Sequence, residues 1–220
     1  MVFTKPTLVT ITAPTCSGKT YLIERLAGMG FNRIVGFTTR DPRPGEQEGV
    51  DYYFITMKEA ERLEREGLLA ETAKFRGNRY GVTHEEMENK VARSNLPPVV
   101  ILEPSGLKSY EKYCKDNGWD IFKIFVTTTE KTRIDRLNKR TADDLRAMLP
   151  TYAAKYNPEA LERIIKTHSD RLLSITGDER LWMSTDIWDV IVPGDDINKA
   201  LSFINQGIKW RNSLNAPAST

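Results

Sequence analysis

Short apolar runs punctuate an otherwise mixed chain. Thr7–Thr12, Val99–Leu102, Ile121–Val126 and Val190–Val192 are nearly free of charged positions and rich in β-branched residues. Runs of this length and composition predict strands covered on both faces. Between them the apolar period changes. Leu22, Ile23 and Leu26 recur at helical spacing over Tyr21–Met29, and Ile197, Leu201, Ile204 and Ile208 mark one face of a C-terminal helix. Ile34–Thr38, Tyr52–Ile55 and Leu68–Phe75 predict further strands, and Gly77-Asn78 a turn. Thr56-Met-Lys-Glu59 and Thr83-His-Glu-Glu86 are capping-box patterns that open helices to about Glu66 and about Arg93. Strand and helix alternate, so the chain reads as α/β, with a parallel sheet covered by helices.

Size and composition narrow this little. The chain has 220 residues, 40% hydrophobic and 28% charged, which suits one domain with small insertions. A formal net charge of +2 argues neither for nor against a polyanionic partner. No apolar run approaches the length of a membrane span, and the start of the chain lacks a signal-peptide pattern. Cys16 and Cys114 have neither zinc-site nor disulfide spacing, which fits a reducing compartment such as the cytoplasm.

The chemistry begins directly after the first strand. Ala13-Pro14-Thr15-Cys16-Ser17-Gly18-Lys19-Thr20 follows the phosphate-loop pattern, with Ala13 in place of its first glycine. Backbone N–H groups of such a loop, together with the next helix N-terminus, bind phosphates. Lys19 would reach the β- and γ-phosphates of ATP and Thr20 would hold Mg²⁺. Downstream, Arg40 and Arg43 lie three apart in a Pro/Gly-rich loop, followed by Glu46, Tyr52, Glu71 and Tyr80. Arginine forks suit a phosphate, and a buried carboxylate suits the N–H edge of a base.

From Leu8 to about Ile208 the sequence resembles guanylate kinase, most specifically in T-T-R-x-P-R-x-G-E…G-x-D-Y-x-F and in Y-G. The resemblance implies a P-loop kinase fold with a five-stranded parallel core sheet flanked by helices, an inserted NMP-binding subdomain and a lid. It divides the chain into a core (1–42, 94–139 and 164–212), the NMP-binding subdomain (43–93), the lid (140–163) and a tail (213–220). It implies phosphoryl transfer from ATP, with Mg²⁺, to GMP or dGMP. Arg40, Arg43, Tyr52 and Tyr80 would bind the acceptor phosphate, Glu46 would brace the arginine loop, and Glu71 would read guanine. Glu103, where the family usually has Asp, would order Mg²⁺ and water or contact the acceptor. Arg136, Arg140 and Arg163 resemble the lid arginines that close on the phosphates. Partners would be ATP and a nucleoside monophosphate, with no nucleic-acid polymer and no membrane, in a cytoplasmic monomer or homodimer.

The chain departs from the pattern at several places. Gly36 and Val82 stand where the family has hydroxyl residues that help read the purine, and Thr83 is a candidate substitute. The stretch between Arg140 and Arg163 and the segment 175–188 are long for the family. Pro193-Gly194-Asp195-Asp196 replaces an Asn expected beside ATP's adenine. These departures keep two alternatives open: a kinase for a different or modified deoxynucleoside monophosphate, and a non-catalytic guanylate-kinase-like binding domain. The intact Gly18-Lys19-Thr20 speaks against the second, and Glu71 with its tyrosine-rich surroundings speaks against a ribose bisphosphate kinase of similar fold.

Overall fold

All six residues of strand β1 (Thr7–Thr12) are buried, and this strand organises two cores. Alternate side chains leave a strand on opposite faces. Val9 and Ile11 pack with Leu22, Ile23 and Leu26 of helix α1 (Lys19–Ala27) and with Ile204 and Ile208 from the C-terminal helix. Leu8 packs on the other face with Val100, Leu107, Tyr110 and Cys114. A strand sandwiched in this way is buried along its whole length, its three threonines included.

The computed structural model describes residues 2–43, 45–75, 77–92, 95–102, 106–154, 158–177 and 186–215. After α1 come β2 (Asn32–Arg33), β3 (Phe37–Thr38), β4 (Tyr53–Phe54), α2 (Met57–Arg65), β5 (Leu69–Phe75) and β6 (Asn78–Thr83). Next are α3 (His84–Met87), which runs into a π-helical turn at Glu88–Ala92, then β7 (Pro98–Ile101), α4 (Leu107–Asp116) and β8 (Asp120–Thr127). The chain ends with α5 (Glu130–Ala154), α6 (Pro158–Gly177), β9 (Val190–Pro193) and α7 (Ile197–Leu214). The main sheet has five parallel strands in the order β2-β7-β1-β8-β9. The phosphate-loop segment follows the carboxyl end of its central strand, where ligands of open α/β sheets bind. A second sheet, β4-β3-β6-β5, is built around the antiparallel β5–β6 hairpin.

The strand expected over Ile34–Thr38 is divided between the two sheets. Asn32 and Arg33 pair with β7, and Ile34 still donates to the Val99 carbonyl at 2.9 Å. The Val35 N–H is then taken by the buried Glu86 carboxylate at 2.8 Å, and Phe37 and Thr38 pair with β4 and β6. The Thr83 capping box is therefore half used. Its hydroxyl accepts from the Glu86 N–H at 3.2 Å, while the Glu86 side chain ties the crossing between the sheets.

Two long helices complete the cavity wall. α5 and α6 pack together through Thr141 Oγ1 and His168 Nδ1 at 2.7 Å, and through buried Arg133, which donates to the Ile175 carbonyl at 3.1 Å. Residues 140–154 continue α5 without a break and Arg163 lies in the first turns of α6, so the described part of the stretch that looked long in sequence is helix. Of the segment 175–188, residues 178–185 lie outside the described residues, as do 216–220 of the tail. Among the described residues no helix is long and apolar enough to cross a membrane.

Candidate active site

The loop after β1 turns through two left-handed residues, Cys16 (φ 64°) and Gly18 (φ 99°). Ala13 has no positive φ, so its Cβ is accommodated without the strain a left-handed residue would bring. Gly18 caps α1 with no side-chain hydrogen bond, leaving the first-turn N–H groups for an anion. Gly18 needs its missing side chain for a second reason: a Cβ there would lie 2.8 Å from the Gly194 carbonyl. Lys19 Nζ donates to the Ala13 carbonyl at 3.2 Å, and the Thr20 side chain stands exposed at the cavity wall.

The arginine loop is built around Glu46. Arg40 grips its carboxylate with both terminal nitrogens, at 2.6 and 2.8 Å, and the Arg43 N–H donates to it at 2.8 Å. Burial alone would raise the Glu46 carboxyl. The Arg40 hydrogen bond, the Arg43 N–H and the charges of both arginines outweigh it, so the group sits below its ordinary range. Arg40 lies over the Tyr52 ring at 5.1 Å, and Tyr52 meets Tyr80 with centroids 6.0 Å apart. The fork is thus held by a carboxylate on one side and an aromatic face on the other.

Glu71 on β5 is 8% exposed. Two glycines make its room. A Cβ on Gly81 would sit 2.4 Å from the Glu71 carbonyl, and one on Gly106 would sit 2.6 Å from Glu71 Oε1. Gly36 is also a packing residue, since a Cβ there would meet the Gly81 carbonyl at 2.8 Å. The missing hydroxyl at position 36 therefore has a local steric cause. Val82 is buried in the core that contains Tyr110.

These groups share one cavity of about 1130 Å³. Its wall includes Thr15 to Thr20, Arg40, Arg43, Tyr52, Glu71 and Tyr80, together with Arg136, Arg140 and Arg163. Arg136 clasps two segments, donating to the Cys16 carbonyl at 3.1 Å and the Gly194 carbonyl at 2.9 Å. Arg163 pairs with Asp41 at 2.8 Å across the cavity mouth, with both side chains mostly exposed. Ala13, Pro14 and Glu46 stand behind the wall rather than in it. Thr83 is not in the wall either: its hydroxyl caps α3, and that task removes it as a stand-in for the absent base-reading hydroxyls. Glu103 lies outside the described residues. A smaller adjoining cavity of about 260 Å³ is bounded by Gly18, Tyr21, Arg136, Pro193, Gly194 and Asp195.

Sequence reasoning missed several parts of the site. Arg171 on α6 lines the large cavity but carries no family motif. Gly194 comes so close to the phosphate loop that a Cβ would overlap the Ser17 carbonyl. Only the Pro-Gly punctuation at 193–194 hinted at a tight approach. Tyr110, one turn beyond Gly106 on α4, is 1% exposed, with no partner for its hydroxyl among the described residues.

A phosphate loop and an arginine-and-carboxylate pocket facing each other in one cavity of a parallel α/β fold define a P-loop phosphotransferase. The guanylate kinase family model matches residues 5–163. Guanylate kinase of Fusobacterium nucleatum subsp. nucleatum is 30% identical over 179 residues, covering 76% of this chain and 94% of that protein. Guanylate kinase of Sus scrofa is 30% identical over 199 residues, covering 89% of this chain and 88% of that protein. The crystal structure of guanylate kinase from Anaplasma phagocytophilum shares the fold, with a TM-score of 0.61 over 94% of this chain and 87% of that one, at 18% identity. The chain belongs to the guanylate kinase family.

Proposed function

We propose that the protein transfers the γ-phosphoryl group of ATP to GMP or dGMP, giving GDP or dGDP and ADP. The observation that carries this reading is the single cavity in which the phosphate loop faces Arg40, Arg43 and Glu71. In this reading Lys19 and the loop N–H groups hold the donor phosphates. Arg40, Arg43, Tyr52 and Tyr80 hold the acceptor phosphate, braced by Glu46. Glu71 accepts the N1–H and amino hydrogens of guanine. Arg136, Arg140 and Arg163 stabilise charge on the migrating group. Transfer is in line and needs no covalent enzyme intermediate, so catalysis is positioning plus charge stabilisation. Residues 43–93 act as the acceptor-binding subdomain and the α5–α6 hairpin as the lid.

Mg²⁺ fits this donor set. Thr20 offers a hydroxyl oxygen at the start of α1, and no cluster of three or more His, Cys, Asp or Glu side chains occurs among the described residues. An ion that keeps waters and binds chiefly through ATP's own phosphates needs no more from the protein. Bound there, it would neutralise charge on the β- and γ-phosphates.

Family membership favours neither a different acceptor nor a non-catalytic scaffold. A coupled ADP-release assay run with each nucleoside monophosphate tests the reading. Turnover with GMP and dGMP above all others is the expected result; turnover with thymidylate alone, or none with any acceptor, overturns it.

A further inference from the structure

Two stretches of chain join the main sheet to the second sheet, and one buried carboxylate ties them together. On the outward stretch Ile34 still belongs to the main sheet, donating to the Val99 carbonyl at 2.9 Å. Gly36 already belongs to the second sheet, its carbonyl accepting from the Tyr53 N–H at 2.9 Å. Val35 lies between them, buried, and its N–H goes to Glu86 Oε1 at 2.8 Å. Glu86 stands on the return stretch, in α3 directly after β6, and is 7% exposed. Its other carboxylate oxygen stands 3.5 Å from the Tyr53 hydroxyl on β4. The element that carries Glu86 is docked on the main core. Met87 and Val91 pack there with Leu8, Ile34 and Val100, and the Asn32 side chain of β2 donates to the Lys90 carbonyl at 2.9 Å.

The two half-sites lie on opposite sides of this staple. The phosphate loop follows β1 of the main sheet, whereas Arg40, Arg43, Tyr52, Glu71 and Tyr80 all come from the second sheet or the loop between β3 and β4. Glu86 is not in the cavity wall, so it belongs to neither half-site. What it holds is the joint between them. In-line transfer needs reacting atoms about 3–3.5 Å apart, and a misplacement of about 1 Å costs roughly a hundredfold in rate. Without the carboxylate, the buried Val35 N–H loses its acceptor, and the joint has reason to resettle until that group is paired. We propose that Glu86 is a positioning residue: it fixes the spacing between the donor and acceptor half-sites while touching neither nucleotide. The proposal rests on the phosphotransfer reading above and goes beyond it, because it assigns rate to a residue outside the cavity.

The test compares Glu86→Leu, which keeps bulk but removes the acceptor, with Glu86→Gln, which keeps an oxygen for the Val35 N–H. Calorimetry of the full chain measures GMP and ATP binding separately, and steady-state kinetics measures transfer. The Leu variant should lose at least tenfold in kcat, while each nucleotide still binds one per chain with a Kd within threefold of wild type. The Gln variant should return kcat to within threefold of wild type. One-per-chain binding separates this outcome from a loss of folded protein. An unchanged kcat in the Leu variant overturns the proposal. So does a Kd for GMP that weakens in step with kcat, which would make Glu86 part of the acceptor pocket's own structure, and so does a Gln variant as slow as the Leu variant. Should the Leu variant fail to fold, Glu86→Asp carries the comparison: its shorter reach should lower kcat at least threefold with both Kd values kept, and a wild-type kcat overturns the proposal. Should the wild type fail to phosphorylate GMP, the phosphotransfer reading falls by itself, and the spacing is measured directly. Spin labels would be placed through Lys74→Cys and Lys115→Cys, both exposed, in a chain carrying Cys16→Ser and Cys114→Ala. A distance distribution that shifts or broadens with Glu86→Leu and recovers with Glu86→Gln supports the staple; identical distributions overturn it.

Discussion

At the scale of single residues, the site separates groups that serve chemistry from groups that serve the fold. Lys19 touches the loop through the Ala13 carbonyl, a contact that water can replace. Lys19→Met should therefore abolish most turnover while shifting the ligand-free melting temperature little; near-normal activity would remove Lys19 from the phosphate site. Glu71 is different, being buried and shaped around by Gly81 and Gly106. An unpaired buried carboxylate costs about 1–3 kcal/mol, roughly ten- to a hundredfold in selectivity. Glu71→Gln should raise the KM for GMP and dGMP and lower kcat/KM, with the KM for ATP nearly unchanged. Equal use of dGMP by variant and wild type would show that another group reads the base. Tyr110 tests the fold side. Its hydroxyl is buried without a partner among the described residues, and burial, then the Glu71 charge, push its ionisation well above the ordinary tyrosine value. Tyr110→Phe removes an unsatisfied oxygen, so unfolding in urea should show equal or greater stability, by up to about 1 kcal/mol.

At the scale of elements, the arginine loop behaves as one unit whose keystone is Glu46. Its contribution to stability has a definite sign with pH. The Glu46 carboxyl is lower in the folded protein than in the unfolded chain, so its contribution is present above the unfolded value and is lost as pH falls through the folded one. Glu46→Gln should destabilise by about 1–3 kcal/mol at neutral pH. The gap to wild type should close as the pH is taken below the ordinary carboxylate range, and a gap independent of pH would argue that packing, not charge, holds the loop. This unit was legible in the sequence because Arg40, Arg43, Glu46 and Tyr52 lie close together along it. So were β1, β8 and the C-terminal helix, where burial on both faces or on one stripe leaves a clear apolar period. The division of Ile34–Thr38 between two sheets was not legible. An apolar stretch looks alike whether one partner strand or two receive it, and what divides it is Glu86, some fifty residues away. Gly106 and Arg171 were hidden for the same reason: a glycine's need for space and an arginine's burial depend on neighbours that only the fold supplies.

At the scale of the molecule, two sets of arginines face each other across the cavity. Arg40 and Arg43 come from the loop before β4, and Arg140, Arg163 and Arg171 from the α5–α6 hairpin. Two guanidinium charges about 6 Å apart repel by roughly 3 kcal/mol at an effective dielectric of 20. The Arg163–Asp41 pair is largely exposed and contributes little. Closure should therefore depend on anions: phosphates placed between the sets turn repulsion into attraction, and the hairpin then has reason to press inward. A bisubstrate analogue that spans donor and acceptor positions should reduce the radius of gyration in small-angle scattering and protect 141–157 from proteolysis. Adenosine and guanosine without phosphates should do neither. The effect should weaken as salt rises, because the partly exposed members of the set are screened within a Debye length of about 8–10 Å. Cys16 offers a local reading of the same event. It lies half-buried in the phosphate loop, whereas Cys114 is buried and its thiol is pushed up to about 12, first by burial and then by the charges of Asp120 and Glu111. Alkylation should thus report Cys16 and should slow when Mg-ATP covers the loop. Scattering and proteolysis unchanged by the analogue, with Cys16 nonetheless shielded, would mean that the nucleotides bind to a cavity already closed, and the hairpin would then be a fixed wall.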